Sequence, residues 1–451
     1  MTSTKAQINN LGIPPIGGIC TYDEACKVGY SVDHSVDLLK RYNYIKTQTY
    51  YMILAHINKV PEWEVKGGIS YHVWLEAEHS SLIRKRVGEM RHPPLFLDKV
   101  PDERLQSLME EAIRSNSTLE LLTALYRVIK PEMIRSLKHY IAHANPLVDL
   151  PTCRSLKLIL DEDEMMLQWG EQAIQALIKT AADRQEVEQW TTHLLSYLNA
   201  AGGFSGDLTI EVAIPTPKAR YDGKPYEMDS YPQRDDRFQD TFNAFYPGVI
   251  FNDTNKDPLE RTIALASMRL REMDVPEFMS AFIYNTKGKP WEYYHDLGRQ
   301  LFDEVRHSMM GEVALYNEGI AFHDYPIQKI ISVAYNTKLT PLEAHSVLWG
   351  IEQGLMPKET GKRYEWVVAM DAGNELVATF QDFDWADEVL HAQNGRKWLT
   401  SEFKNMDEMI AFKDASMKKW GEAINSYKHL SKQEDWWTPL MDEIRRKREN
   451  I

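Results

Sequence analysis

Cysteine is scarce in this chain, with Cys20, Cys26 and Cys153 the three cysteines among 451 residues. Three cysteines provide neither the paired framework of a disulfide-rich secreted domain nor the four ligands of a structural zinc site. We therefore expect them to be structural residues of a protein in a reducing compartment.

Long apolar runs and an excess of basic charge are also missing. No apolar run approaches the roughly 18 residues needed to span a bilayer, and the opening stretch MTSTKAQINNLG lacks the basic and apolar regions of a signal peptide. The formal net charge of −14 argues against nucleic acid or an anionic membrane as a partner. With 43% hydrophobic and 26% charged residues, the composition is typical of a soluble globular protein, which we expect to be cytoplasmic.

Glycine and proline are concentrated near the N-terminus, in LGIPPIGGICTY, and in the region 200–258. Elsewhere the apolar residues recur at three- and four-residue spacing, which predicts helices. DPLERT at Asp257–Thr262 and TPLEAH at Thr340–His345 both have the N-cap, Pro and Glu pattern of a helix start. The predicted fold is all-α, with two tandem four-helix units, an irregular connector and a helical C-terminal tail.

The pattern divides the chain into five segments. They are an N-terminal extension, a first four-helix unit, an aromatic-rich ordered connector, a second four-helix unit and a helical tail, at residues 1–30, 31–199, 200–256, 257–400 and 401–451. The predicted helices of the second unit cover residues 258–285, 290–317, 341–354 and 362–399.

An acidic pair and a histidine recur at the same offsets in DEVRH (Asp303–His307) and DEVLH (Asp387–His391). Residues three apart on a helix lie on one face, about 5–6 Å from each other, so a Glu-x-x-His pair can grip one metal ion. A third copy of the Glu-x-x-His pattern, EAEH, lies at Glu76–His79 in the first unit. One copy arises by chance in many charged helices, whereas two copies in one four-helix unit match the template of a di-metal centre.

This template requires one further glutamate from each of the two remaining helices. With about 16 residues per helix and a rise of about 1.5 Å per residue, each partner is expected roughly one traverse back along a hairpin. Glu272 stands 32 residues before Glu304, and Glu352 stands 36 residues before Glu388. Both lie among apolar residues of predicted helices.

Two other glutamates are candidates by position. Glu277 requires a shorter hairpin and is the alternative to Glu272. Glu375, 13 residues before Glu388, is expected on the same helix as Glu388 and so cannot face it. The predicted metal ligands are Glu272, Glu304, His307, Glu352, Glu388 and His391.

The segment 258–399 resembles the ferritin-like superfamily of non-haem di-iron carboxylate proteins, over about a third of the chain. DEVRH is similar to the Asp-Glu-x-Arg-His motif of di-iron oxygenases, and DEVLHAQNGRKWL is similar to the fourth helix of a bacterial ferritin-like family. The resemblance implies that Asp303 and Asp387 each accept the free ring N–H of the ligand histidine on the facing helix, with Arg306 completing the network. The alternative is that these three residues are solvent-facing charges.

The first unit departs from this pattern. Tyr44, not a glutamate, stands 32 residues before Glu76, and the fourth helix offers LDEDEMMLQWG without a histidine. We interpret the first unit as a degenerate ferritin-like bundle that arose by internal duplication. A weaker alternative is a carboxylate-rich metal site that combines Glu76, His79, Glu132 and either Glu162 or Glu164.

Carboxylate and imidazole ligands with open positions suit iron that reacts with O2. Four carboxylates also balance the four positive charges of a di-ferrous centre, which allows the metals to lie in an apolar core. We therefore expect two iron ions, with Fe/Fe favoured over Mn/Fe, and O2 as co-substrate.

The leading hypothesis is an O2-activating di-iron oxygenase or oxidase that acts on a small organic substrate. No flavin or nicotinamide fingerprint is present, so we expect an external electron donor. Nucleic acid and membranes are not expected as partners, and a homodimer is compatible with the sequence. The alternatives are a ferroxidase or peroxide-scavenging protein, in which iron is the substrate, and a non-catalytic scaffold stabilised by metal.

Overall fold

The computed structural model describes residues 6–90, 95–208, 218–243, 245–431 and 434–449. Within these ranges every regular element is a helix, which confirms the predicted all-α class. None of the helices in the described ranges is long and apolar enough to cross a membrane. The arrangement in two tandem four-helix bundles stays a prediction.

The described part of the first half of the chain contains more helices than the four that the pattern predicts. They are α1 (Tyr22–Ala25), α2 (Val32–His56), α3 (Trp63–Glu89), α4 (Glu103–Ala112), α5 (Thr118–Thr123), α6 (Lys130–His143), α7 (Leu150–Leu177) and α8 (Ala181–Ala200). A π-helical segment, Ala124–Ile129, joins α5 to α6. The described part of the connector that follows is mostly irregular, as predicted.

The second half of the chain contains the predicted metal ligands. Its helices are α9 (Gly248–Asn252), α10 (Pro258–Leu270), α11 (Asp274–Asn285), α12 (Trp291–Asn317), α13 (Ile330–Lys338), α14 (Pro341–Gly354), α15 (Lys362–Asp371), α16 (Glu375–Thr400), α17 (Met406–Tyr427) and α18 (Trp437–Glu449). Asp257 and Thr340 cap α10 and α14, as the two sequence motifs predict.

Two of the predicted helices are interrupted. A 3₁₀ turn at Arg271–Met273 divides the predicted helix 258–285. The predicted helix 362–399 is divided into α15 and α16 because Gly373 has a φ of +67°, in the left-handed region that favours glycine. The Asn374 side chain then accepts a hydrogen bond from the backbone N–H of Val377 and starts α16 afresh.

The chain forms two compact units. The N-terminal unit comprises residues 1–49 and 78–224, and the C-terminal unit comprises residues 50–77 and 225–451. The boundaries fall within α2 and α3, so residues 50–77 belong to the C-terminal unit, although the sequence pattern places them in the first four-helix unit.

In the C-terminal unit α12 packs against α10, α11 and α16, and α14 packs against α11, α16 and α17. Two glycines permit close approach. A Cβ atom at Gly311 would lie 2.2 Å from the Leu270 nitrogen and 2.6 Å from the Ala266 oxygen, so α12 rests directly on the backbone of α10. A Cβ atom at Gly395 would lie 2.7 Å from Cδ1 of Trp349, so α16 packs closely on this side chain of α14.

The last helix is part of the core of the C-terminal unit. Four apolar side chains of α18 are almost completely buried in the cluster that also contains α10 and α12 residues: Trp437, Leu440, Met441 and Ile444. Full burial of such a side chain contributes about 1.5–3 kcal/mol. The predicted C-terminal tail is therefore helical, and its end helps to stabilise the unit that holds the candidate site.

Candidate metal centre

Four neighbouring elements of the C-terminal unit bring the six predicted ligands together: the 3₁₀ turn after α10, and the helices α12, α14 and α16. Two groups of potential ligand atoms result, in each of which all atoms lie within 4.8 Å of one another. The groups are Glu272, His307, Asp384 and Glu388, and Glu304, Glu352, Glu388 and His391. Because Glu388 belongs to both groups, the geometry suits two metal ions that share a carboxylate.

The two histidines face this space with Nδ1. The Nδ1 atom of His391 lies 3.2 Å from Oε1 of Glu304 and 3.4 Å from Oε2 of Glu388. The Nδ1 atom of His307 lies 3.4 Å from Oε2 of Glu272 and 3.6 Å from Oε2 of Glu304. Ligands at about 2.0–2.2 Å from one cation are separated by roughly 3.0–3.5 Å, so these spacings fit a shared metal.

Each predicted ligand has a buried atom without a hydrogen-bond partner among the described residues. These atoms are Oε2 of Glu272, Oε1 of Glu304, Nδ1 of His307, Oε2 of Glu352, Oε2 of Glu388 and Nδ1 of His391. A buried polar group without a partner costs about 1–3 kcal/mol, and more if it is charged. Metal ions bound here would satisfy all six atoms at once, so the residues fit a di-metal centre.

An outer network holds both imidazoles in place. Nε2 of His391 lies 3.4 Å from Oδ2 of Asp303, and Nε2 of His307 lies 3.2 Å from Oδ2 of Asp387. Arg306 donates to Asp303 and to Asp387, each at 2.6 Å. With the ring proton donated from Nε2, the Nδ1 lone pair of each histidine is directed at the carboxylates. These are the contacts that the family resemblance implies.

The Asp303 carboxylate stays ionised in this network. Burial would raise its pKa, but hydrogen bonds from His391 and Arg306 and the charge of Arg299 lower the pKa of Asp303 to about 2. A charged acceptor makes the stronger hydrogen bond to an imidazole N–H and increases the basicity of the ring.

Three further charged residues contact the predicted ligands and were not predicted. Nζ of Lys362 lies 2.9 Å from both oxygens of Asp384 and 2.8 Å from Oε1 of Glu388. Nη1 of Arg269 lies 2.7 Å from Oδ2 of Asp384 and 2.9 Å from Oε1 of Glu272. Asp384 is one helical turn before Glu388, and Arg269 is one turn before Glu272, so helical spacing could have found both. Lys362 carries no such signal.

The charges of the centre are unbalanced without metal. If all six carboxylates are ionised and the imidazoles are neutral, the two cations Arg269 and Lys362 leave four negative charges uncompensated. The carboxylates are Glu272, Glu304, Glu352, Glu365, Asp384 and Glu388. Two divalent cations carry four positive charges, which equals this excess.

This excess shifts the pKa values of the ligands. Burial and the charges of Glu388 and Glu304 raise the pKa of Glu352 well above its ordinary value. Burial lowers the pKa of His307, but Asp384 and Asp387 outweigh it and raise the pKa far above the usual range. The carboxylates around His391 raise its pKa in the same way. Without metal, these shifts favour the protonated form of each of these groups.

The two other candidate glutamates lie elsewhere. Glu277, the alternative to Glu272, is fully buried in an ion pair with Lys66 and Arg234. Glu375 is exposed in the first turn of α16. Neither residue belongs to any group of described residues that could hold a metal ion.

In the N-terminal unit, two lysines contact the buried acid Asp163. Nζ of Lys46 lies 2.6 Å from Oδ1 of Asp163, and Nζ of Lys130 lies 2.5 Å from the same atom. The Lys46 ammonium also lies 3.0 Å from Nδ1 of His79, whose Nε2 lies 2.6 Å from Glu162. Burial would raise the pKa of Asp163, but the two lysines hold it well below its ordinary value. Ammonium groups thus supply the positive charge here, which favours the interpretation of a degenerate bundle.

The other acids of the weaker second site have different surroundings. Glu76 is buried on α3, one turn before His79. Glu132 pairs with Arg135 at 2.7 Å, and the partly exposed Glu164 pairs with Lys138 at 2.6 Å. Metal binding at Glu76 and His79 stays a prediction.

Replacing Asp163 tests this interpretation. Asp163→Asn is expected to lower the free energy of unfolding by about 3–5 kcal/mol, because two buried lysines lose their counter-charge. The metal content of the full chain should not change. Urea unfolding and metal analysis measure the two effects, and Glu164→Gln is the control, with an expected loss of about 1 kcal/mol or less. Loss of metal from the Asp163 variant alone would instead support a second metal site.

A cavity of about 470 Å³ adjoins the candidate centre. Four of the predicted ligands form part of its wall: Glu272, Glu304, Glu352 and Glu388. Most of the remaining wall is apolar, with Val275, Phe278, Ile330, Ile331, Leu348 and Ile351. Its size falls within the roughly 300–1,000 Å³ of small-molecule sites.

Comparisons of the chain with protein-family models, curated proteins and solved structures found no match. The ferritin-like resemblance therefore rests on the sequence motifs and on the geometry of the six ligands.

Proposed function

We propose that the chain is an O2-activating non-haem di-iron oxygenase or oxidase that acts on a small organic substrate. The observation that carries this proposal is the convergence of six buried ligand atoms without partners beside a largely apolar cavity. In the proposed ferritin-like bundle, the α10–α11 segment, α12, α14 and α16 are the four ligand-bearing helices. Bound iron would supply the reaction with O2.

The side chains of this chain would hold, orient and enclose the reacting centre. Glu304 and Glu388 lie between the two histidines and would join the two metal positions. Asp303, Asp387 and Arg306 keep the imidazoles in one tautomer and orientation. The apolar wall of the cavity would exclude water while an organic molecule occupies it.

The same cavity distinguishes the leading proposal from its alternatives. A ferroxidase takes up hydrated Fe(II), whose passage along apolar side chains is costly. A scaffold held together by metal needs no cavity beside the ligands. The apolar lining therefore favours an organic substrate over iron as the substrate.

Anaerobic loading of the full chain with Fe(II) tests the proposal. We expect about two iron ions per chain, matching the two groups of ligands, and a visible absorption change on mixing with O2. Formation of an oxidised organic product would support the oxygenase, whereas growth of a ferric mineral would support the ferroxidase. A chain that binds no iron would contradict both, and loading with Mn(II) and Fe(II) together would identify a mixed centre.

Metal binding should release protons. The raised pKa values of His307, His391 and Glu352 favour the protonated forms of these groups in the metal-free protein. A metal ion must displace these protons, so its affinity should rise with pH. Calorimetric titration with Co(II) at pH 6 and pH 8, in two buffers of different ionisation enthalpy, measures the number released. Affinity that is independent of pH would contradict these protonation states.

A further inference from the structure

The cavity beside the centre contains a cation without a counter-ion. Arg271 lies in the 3₁₀ turn after α10, and its Nη1 atom is buried and has no hydrogen-bond partner. Among the described residues, no carboxylate forms an ion pair with this guanidinium. Gln328 accepts from Nη2 when its amide is oriented to satisfy its neighbours, and the Tyr246 ring centroid lies 5.1 Å from the guanidinium.

The Asp274 carboxylate, whose charge acts on this guanidinium, is already engaged. Asp274 accepts a hydrogen bond from Ser332 at 2.9 Å and lies 3.9 Å from Arg234. Asp274 is therefore shared with Ser332 and Arg234. Among the described residues Arg271 has no carboxylate within ion-pair distance, although buried charges are normally paired.

Neutral donors share the cavity wall with Arg271. Nε1 of Trp420 and Oγ of Ser431 are buried, and neither has a hydrogen-bond partner in the described part of the chain. Lys428 also lines the cavity, but it is exposed to solvent, which screens its charge. One buried guanidinium with neutral N–H and O–H donors suits an anion of single charge, since a dianion would leave one charge without a buried partner. A carboxylate has the planar shape that pairs with a guanidinium.

The apolar side chains of the cavity wall determine which chemical groups the rest of the ligand can carry. Besides the predicted metal ligands and Arg271, the wall includes Val275, Phe278, Ile330, Ile331 and Ile351. Polar groups in the central part of a ligand would lose their hydrogen bonds to water when they are buried among these side chains. A hydrocarbon body, aliphatic or aromatic, matches them.

We propose that the cavity binds a monocarboxylic acid with an apolar body, its carboxylate on Arg271 and its hydrocarbon part directed towards Glu304 and Glu352. The inference rests on the proposed function for the reaction of the hydrocarbon part. Binding of the acid requires only the cavity and Arg271. It can therefore be measured whether or not the chain holds iron.

Paired acids and amides provide the test. Isothermal titration calorimetry of the full chain with octanoate and octanamide, and with 3-phenylpropanoate and 3-phenylpropanamide, compares a charged with a neutral head on one body. We expect at least one acid to bind at least tenfold more tightly than its amide. Arg271→Gln should abolish this preference and change amide affinity less than threefold, Arg271→Lys should retain part of it, and the exposed Arg445→Gln should behave as wild type.

Two further variants locate the bound acid. Ile331→Trp should fill the cavity and weaken the acid and the amide alike by at least tenfold, with an unchanged circular dichroism spectrum. If Glu304→Ala removes the preference for the acid while Arg271→Gln keeps it, the carboxylate binds at the metal ligands and the inference is overturned. Absence of binding by both acids also overturns it, even in a chain that binds iron and reacts with O2. Acid binding that depends on Arg271 in a chain without iron sites would support this inference and refute the proposed function.

Discussion

Glu304→Ala is expected to remove both metal ions from the chain. Glu304 directs one oxygen towards each histidine, with Oε1 at 3.2 Å from Nδ1 of His391 and Oε2 at 3.6 Å from Nδ1 of His307. Loss of a residue that merely supports a ligand reduces metal affinity about 10–100-fold, and loss of a shared ligand should cost more at both positions. Iron measured after anaerobic loading and gel filtration should fall from about two ions per chain to nearly none.

Two companion variants make the result interpretable. Glu375→Ala changes an exposed glutamate on α16, the helix that carries Glu388, and should retain both ions. Glu304→Gln keeps the size of the side chain and removes its charge, so it should lose metal without leaving a cavity. Retention of two irons by both Glu304 variants would show that the ligand assignment is wrong.

Lys362→Met is expected to destabilise the metal-free protein by about 3–5 kcal/mol at neutral pH, because one partner of a buried ion pair is removed. Lys362 is fully buried, and its ammonium contacts Asp384 and Glu388. Methionine has a similar length and no charge, so the two carboxylates lose most of their compensation. Urea unfolding of the metal-free chain measures the difference.

The stability lost in Lys362→Met should decrease as the pH falls. Burial would raise the pKa of Asp384, but Arg269 and Lys362 lower it below its ordinary value. A lowered pKa contributes stability above the unfolded value of about 3.9, and that contribution is lost as the pH falls. The deficit of Lys362→Met should thus be largest at neutral pH and shrink on acidification.

Added metal provides a second check on Lys362. Divalent ions restore positive charge to Glu388 and Asp384, so loading with Co(II) should reduce the deficit. The control is Lys397→Met, a half-exposed lysine that pairs with Asp296 at 2.7 Å and should cost about 1 kcal/mol or less. Equal losses for both lysines would mean that Lys362 has no special role in the centre.

Helical periodicity was enough to predict the six ligand candidates, because each depends on local spacing or on the length of a hairpin. The two Glu-x-x-His pairs need only that residues three apart share a face. Glu272 and Glu352 follow from helix lengths, which the caps at Asp257 and Thr340 define.

The missed features depend on tertiary structure. Lys362 is buried because carboxylates from other elements surround it, and nothing in its local sequence distinguishes it from an exposed lysine. The break between α15 and α16 depends on Gly373, and a single glycine in a helical pattern is often tolerated. In the N-terminal unit, a run of four acidic residues conceals that Asp163 is the buried one.

A glycine extends the Asp-Glu-Val-x-His repeat that the ligand helices α12 and α16 share. Gly311 stands seven residues after Glu304, and Gly395 stands seven residues after Glu388, about two turns along the same face. Gly311 allows α12 to approach α10, the helix that precedes Glu272. Gly395 allows α16 to approach α14, the helix that carries Glu352. The repeated unit is thus the nonapeptide Asp-Glu-Val-x-His-x-x-x-Gly, in which the first residues supply ligands and the last sets the distance between helices. A search of other sequences that also requires this glycine should separate paired metal helices from chance Glu-x-x-His matches.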